Sequence, residues 1–384
     1  MRILIVAPRW PWPVRKGDQA RSTQLAELLA EGHAVRLLAP EGTGVPPADP
    51  DYEIRSVSST PWSRVGAAGR MLFGGGPLQH GLFDNAALRR EFAASVRGFD
   101  RVILVTSRLA GLAGGVPEET LVVDLIDSLA LNITRRAAVD RPWLRPFWQF
   151  EARRLRNAER DLVLRGRSAL LVAERDRDYV ARDLAADAAQ RLRLVPLLLR
   201  EPEVARPDDL GTGNEVLLTG NLGYFPTAQG ADWFLRRVWP DVRGRRPEAR
   251  LVFAGSRAPA ALARRLREAG GELREQPPSL AREIAGAALA VVPLFAGSGT
   301  PMKLLEAVAL GTPVLATPGA ADGVAPEIRR LLPVAEEPAD WSARIAGTLE
   351  DPQSAKRRAI PARDAALALH SRARVRAALE RALD

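Results

Sequence analysis

A lysine and a glutamate three positions apart, Lys303 and Glu306, follow a glycine-rich turn in the run GSGTPMKLLEAVALGTP, residues 297–313. Gly297, Ser298 and Gly299 suit a loop that leaves backbone amides uncovered. Thr300 is a favoured helix N-cap and Pro301 a favoured first helical residue, while Gly311 and Pro313 supply the stop. The spacing predicts a helix of about three turns. Leu304, Leu305 and Val308 mark its buried side, so Lys303 and Glu306 are neighbours on another face. A cation in a first helical turn opposes the helix dipole by roughly 0.3–1 kcal/mol, and a bound anion reverses that sign. Amides, a helix N-terminus and a lysine together can hold a phosphate. Glu306, one turn deeper, can accept hydrogen bonds from sugar hydroxyls. Without a ligand, the same residues describe a buried βαβ unit with a solvated Lys and Glu.

The elements around this stretch alternate as in a parallel α/β protein. ALAVVPL, 288–294, is a doubly buried strand, and TPVLAT, 312–317, supplies the next. Upstream, VLLTG (216–220), a helix at 228–238, RLVFAG (250–255) and a helix at 258–268 complete a second α/β half. The first half opens with RILIVA (2–7), a helix at 20–31 and VRLLAP (35–40). It continues through strands at 53–57, 101–106, 121–129 and 168–173, and closes with RLRLVPLLL (191–199). REPEVARPDDLGTGN, 200–214, has the composition of a linker. A strand near 331–335, a helix at 338–350 and a helix at 353–383 broken near Pro361 finish the chain. Loops after the strands of such sheets line the ligand crevice, which places 8–21 there.

The run 297–317 resembles the donor-site motif of family 4 retaining glycosyltransferases, which use nucleotide sugars and have the GT-B fold. Within that family the chain is similar to a subset with a Gly-Ser-Gly-Thr loop and a downstream lysine; most members have a glutamate where Ser298 stands. The resemblance implies two Rossmann-like domains with parallel sheets: 1–199 together with a C-terminal helix at about 366–384 crossing back to it, and a donor domain at 215–365. It implies that Glu306 bonds the nucleotide ribose, and that Gly297, Ser298, Gly299 and Thr300 face the diphosphate and sugar, Lys303 neutralising the leaving group. KGDQARS resembles the family's first loop, making Gly17 a donor-side position and Lys16, Asp18 and Arg21 acceptor-side contacts. GNLGYFP resembles its second-domain loop, so Gly220, Asn221, Leu222 and Gly223 border the diphosphate or sugar. The arginine and lysine pair common near that loop is absent, which leaves the charge to Lys303 and Arg257. The loop around Glu272 to Glu275 is expected to hold the base. Asp127 falls where many members place a histidine beside the reacting sugar; read from the residues alone, it caps the following helix. Glu174, at a strand end, is a further acceptor-side candidate.

The implied reaction moves a sugar from a nucleoside diphosphate sugar, a UDP-sugar by expectation, to a hydroxyl acceptor with retention. No cofactor or metal is expected. Asp176 and Asp178 form an Asp-x-Asp, read here as acids opening a helix. The acceptor, whether glycan, lipid-linked or a small molecule, and the oligomeric state are left open. A sugar-nucleotide epimerase on the same fold and a non-catalytic homologue serving a partner are the alternatives; only 3 histidines count against the first. Neither half opens with the Gly-x-Gly-x-x-Gly of a dinucleotide-binding dehydrogenase.

Composition bounds the rest. The 384 residues suffice for two domains, and 46% hydrophobic with 26% charged residues is ordinary for a globular chain. The absence of cysteine excludes disulfides and thiolate metal sites and fits a cytoplasmic address. MRILIVAP reads as a first strand, not a signal peptide, and no apolar run approaches the ~20 residues of a membrane span. The net charge of +9 is carried almost wholly by arginine interleaved with acids, a solvated face and not a nucleic-acid surface. Tryptophans 10, 12, 62, 143 and 148 lie beside Arg or Lys, a pattern that suits peripheral contact with the inner face of a membrane, a hydrophobic acceptor, or packing between helices. His33, in a helix-to-strand turn, and His370 are given no chemistry.

Overall fold

The computed structural model of the chain describes residues 1–58, 76–199 and 213–384. Trp62 and nearly all of the expected linker lie outside the described residues. The chain divides into two compact units, Met1–Leu198 with Arg372–Asp384, and Leu199–Ser371.

Unit 1 is built on a seven-stranded parallel sheet. Its strands are β1 (Arg2–Val6), β2 (Ala34–Pro40), β3 (Glu53–Val57), β4 (Arg101–Val105), β5 (Leu121–Ile126), β6 (Ser168–Leu171) and β7 (Leu192–Leu194), in the order β3-β2-β1-β4-β5-β6-β7. Ile3 to Val6, Val102 to Val105 and Leu121 to Leu125 are buried, which is why these strands read as unbroken apolar runs and not as alternations. The sheet order reverses between β1 and β4.

Unit 2 repeats the plan with β8 (Glu215–Asn221), β9 (Arg250–Ser256), β10 (Glu272–Glu275), β11 (Leu289–Val292) and β12 (Val314–Ala316), ordered β10-β9-β8-β11-β12 and all parallel. Here the reversal falls between β8 and β11. One core joins Val216, Leu218, Phe253 and Leu289 to the buried Trp239 and Trp341; the other carries Leu304, Leu305 and Val308 against Leu217, Val252 and Val292.

Several expectations are corrected. Residues 331–335 form no strand, only a single bridge between Ala316 and Val334. The last helical stretch runs unbroken through Pro361, as Pro352–Leu369, and breaks at His370 before Arg372–Leu383. Arg357, whose carbonyl loses its N–H partner at Pro361, and Pro361 itself are both exposed residues. The final helix belongs to unit 1: Arg372 and Arg376 pair with Glu31, Arg101 donates to the Leu383 carbonyl at 2.7 Å, and Ser168 Oγ to that of Ala382 at 2.8 Å. His33 is part of this seam, 2.9 Å from Glu380.

Candidate functional site

In unit 2 the reversal of strand order sets the end of β8 beside the loop that follows β11, the crevice where parallel sheets bind ligands. Both stretches singled out in the sequence meet there. The chain leaves β8 through Gly220 at φ 122°, a conformation open to glycine. A Cβ at this position would lie 2.9 Å from Lys303 Nζ, so the glycine also makes room for the ammonium. Asn221 then shapes the turn by accepting from Gly223 N at 3.0 Å. Leu222 has its side chain in the core and its N–H on the Ser256 carbonyl at 2.8 Å, so it anchors the loop.

The helix behind Lys303 runs Met302–Ala309, about two turns and not three. Pro301, with ψ 104°, is its N-cap in place of the expected Thr300, which is buried. Gly297 and Gly299 carry φ of 112° and 65°, the left-handed turns that bend the chain from β11 into this helix. Ser298 sits between them, partly exposed.

Lys303 Nζ donates to Thr227 Oγ1 at 2.7 Å. Burial pushes the Lys303 ammonium down to about 8, with the Glu306 charge pulling the other way. Burial likewise pushes the Glu306 carboxyl up to about 7, opposed by Lys303. Two ionisable groups are thus held at the edge of their charged states, one beside the loop and one a turn deeper, an arrangement that an anionic ligand with hydroxyls would complete. Thr227 was not singled out from the sequence. Its signal was available: it is a hydroxyl in the first turn of the helix Phe225–Arg237, directly after the glycine loop.

Arg257 follows β9 with φ 59°, its backbone against Gly223, where a Cβ would lie 2.9 Å from the Arg257 carbonyl. The stretch Glu272 to Glu275 is strand β10 and not a loop, and Arg274 is tied to Glu215, Glu272 and Glu283. The chain leaves the sheet at Gln276, with φ 50°.

In unit 1 the candidates spread along the carboxyl edge. Lys16 is the exposed N-cap residue of the helix Gly17–Ala30. Gly17 has no atom within 4 Å of a Cβ position, so nothing among the described residues demands glycine there. Asp18 takes Arg9 Nε at 2.7 Å. Arg21, expected on the acceptor side, is instead 1% exposed, with Nε 2.6 Å from Asp124 and Nη1 on the Pro196 carbonyl at 3.0 Å. It ties the first helix to the sheet.

β5 ends on Ile126 at φ 64°, and Asp127 follows, partly exposed. The cap of the next helix, Leu129–Val139, is Ser128 and not Asp127: Ser128 Oγ accepts from Leu131 N at 3.1 Å. The buried Glu159 accepts from Ser128 Oγ at 2.7 Å and Ala130 N at 3.1 Å. Desolvation pushes the Glu159 carboxyl up to about 8 despite those donors. Asp176 is also buried, accepting from Ser128 N at 2.9 Å, whereas Asp178 is exposed beside Arg177; the Asp-x-Asp is divided between two environments. Glu174 is exposed at the start of its helix. Among the described residues no group of three or more His, Cys, Asp or Glu is placed to hold a metal ion.

Two parallel-sheet units of this topology define a GT-B fold. Solved structures agree over the whole chain: the Anabaena protein Alr3699/HepE in complex with UDP, at 13% identity and TM-score 0.67, matches 100% of this chain and 99% of its own. An α,α-trehalose-phosphate synthase (UDP-forming) from Burkholderia vietnamiensis gives the same identity, score and coverage. An Escherichia coli protein bound with UDP-2-fluoro glucose gives 12% and 0.65, again over 100% of this chain and 99% of that one. At such identities the likeness is one of fold. By sequence, residues 213–351, most of unit 2, match the family described as Glycosyl transferases group 1. No curated protein matches the sequence. The matched domain and the fold together support a nucleotide-sugar-dependent glycosyltransferase.

Proposed function

We propose that the protein is a retaining, family 4-type glycosyltransferase whose donor, a UDP-sugar, is held at the β8/β11 crevice of unit 2. The observation that carries this reading is the Lys303 ammonium, held on Thr227 beside Gly220, with Glu306 one turn deeper. Lys303 faces the donor diphosphate and Glu306 accepts from the ribose hydroxyls. The loop Gly297 to Thr300 borders the diphosphate and sugar, with Gly220, Asn221 and Arg257 on the other side. In the reaction the bond between the anomeric carbon and the diphosphate oxygen breaks, its electron pair staying on that oxygen. The acceptor oxygen bonds the same carbon from the same face and passes its proton to the leaving oxygen. Lys303 stabilises the charge that develops there, as preorganised electrostatics. Lys16, Asp18 and Glu174, at the carboxyl edge of unit 1, are the acceptor-side candidates, and Asp127 is the candidate beside the reacting sugar, contacting or orienting donor or acceptor.

Isothermal titration with UDP, UDP-glucose and the corresponding ADP and GDP compounds tests the reading, together with slow donor hydrolysis. Binding without hydrolysis or transfer would favour the non-catalytic homologue. Absence of binding by any nucleotide sugar would remove the donor site.

A further inference from the structure

The helix Arg145–Arg165 buries Glu151, Ala152, Leu155, Glu159, Leu162 and Val163 against unit 1, and so has an inner face fully accounted for. Its outer side begins with three large aromatic and apolar surfaces in water: Trp143 is 70% exposed, Phe147 40% and Phe150 59%. Trp143 lies in the turn Pro142–Leu144 that leads into the helix, and positions 143, 147 and 150 have the spacing of one helical stripe. Trp148 shows what a packed tryptophan looks like in the same segment: its Nε1 donates to Asp140 at 3.0 Å, under the Arg136 guanidinium at 4.0 Å.

Cations frame the stripe. Arg141 lies 5.5 Å over Trp143 and Arg154 5.1 Å over Phe150, and Arg145 and Arg153 are exposed beside them. Between 141 and 156 the sole acid is Glu151, buried and accepting from Leu78 N at 2.7 Å. Further along the same helix, Arg153, Arg156, Asn157, Arg160 and Asp183 line a groove of about 280 Å³, three guanidiniums against one carboxylate.

We propose that this surface docks the protein peripherally on an anionic lipid bilayer. The aromatic side chains enter the boundary between headgroups and acyl chains, and the arginines meet lipid phosphates. The charge pattern selects this occupant. A protein partner buries aromatics behind a mixed polar rim, whereas Arg141, Arg145, Arg153 and Arg154, set around the stripe with buried Glu151 as the only acid between 141 and 156, complement a uniformly negative plane. Among the described residues no helix is long and apolar enough to cross a membrane, so the contact is with its surface. This inference does not rest on the donor site.

The test is co-sedimentation of the full chain with phosphatidylcholine vesicles and with vesicles that also contain phosphatidylglycerol, at low and high salt. Binding is expected to the anionic vesicles alone, weakening with salt. A variant joining Trp143→Ser, Phe147→Ser and Phe150→Ser, and a second joining Arg141→Gln, Arg145→Gln and Arg153→Gln, should each lose at least about tenfold in vesicle affinity. Their melting temperatures should stay unchanged, because these side chains are exposed. No binding to anionic vesicles, equal binding to neutral ones, or full binding by both folded variants overturns the proposal. So does a self-associated state in gel filtration that the aromatic variant disperses while vesicle binding stays absent.

Discussion

Lys303 can carry a charge into a buried corner because one hydroxyl and one carboxylate attend it. Thr227→Val removes the hydroxyl with little change of volume, and a lost hydrogen bond to a charged group is worth about 1.5–3 kcal/mol. UDP-glucose affinity should therefore fall by roughly tenfold to a hundredfold in titration calorimetry, with the circular dichroism spectrum unchanged. The pH dependence follows from the two shifted groups. On the proposed assignments, below about 7 Glu306 takes up a proton and becomes a weaker acceptor for the ribose hydroxyls, and above about 8 Lys303 loses the charge proposed to face the diphosphate. Affinity for UDP-glucose, whose diphosphate does not titrate in this range, should peak between these values and fall on both sides. A profile flat from pH 6 to 9 would count against both assignments. These two residues were legible from their spacing and the glycines before them. Thr227 was not, because its partner lies 76 positions away in sequence and only the β8/β11 neighbourhood brings the two together.

At the scale of elements, the helix Leu129–Val139 is held at its N-terminus by buried Glu159, and the helix Gly17–Ala30 is tied to β5 by the Arg21–Asp124 pair. Glu159, pushed up to about 8, keeps its proton in the folded state while the unfolded chain releases it near the usual 4.5. The folded state thus binds more protons between those values, and its stability falls as pH rises through that window. Glu159→Gln should flatten the fall in melting temperature between pH 5 and 8; an unchanged slope would place its cause elsewhere. Asp124→Asn leaves the Arg21 cation buried without its counter-charge, at a cost of about 3–5 kcal/mol, read as a drop in denaturation midpoint. Local chemistry found the helix Met302–Ala309 but misplaced its start. Thr300 has the right side chain for a cap, yet Pro301, lacking an N–H and set at ψ 104°, takes the capping position. Pro361 signals a break, yet the helix runs through it and ends at His370.

The molecule as a whole repeats one plan, a parallel sheet whose strand order reverses once, and in unit 2 the proposed site sits at that reversal. Alternation of apolar runs with amphipathic segments was enough to read the strands of the first sheet and β8, β9, β11 and β12 of the second, since strands buried on both faces announce themselves; the polar β10 was expected as a loop, and the strand expected at 331–335 does not form. What it could not show is where the backbone is strained. Among the described residues the non-glycine positions with positive φ are Thr106, Ile126, Arg257 and Gln276, each at the carboxyl end of a strand. Nothing in their residue types foretells it; a β-branched residue such as Thr106 or Ile126 disfavours that conformation. Such strain gathers where a sheet turns its edge toward a ligand.

The central claim is that unit 2 binds a nucleotide sugar through Glu306 and Lys303. Titration of UDP-glucose into the wild-type chain and Glu306→Ala, each checked for an unchanged melting temperature without ligand, tests it most directly. The account predicts saturable binding by the wild type and none by the folded variant; equal affinity of the two would contradict it.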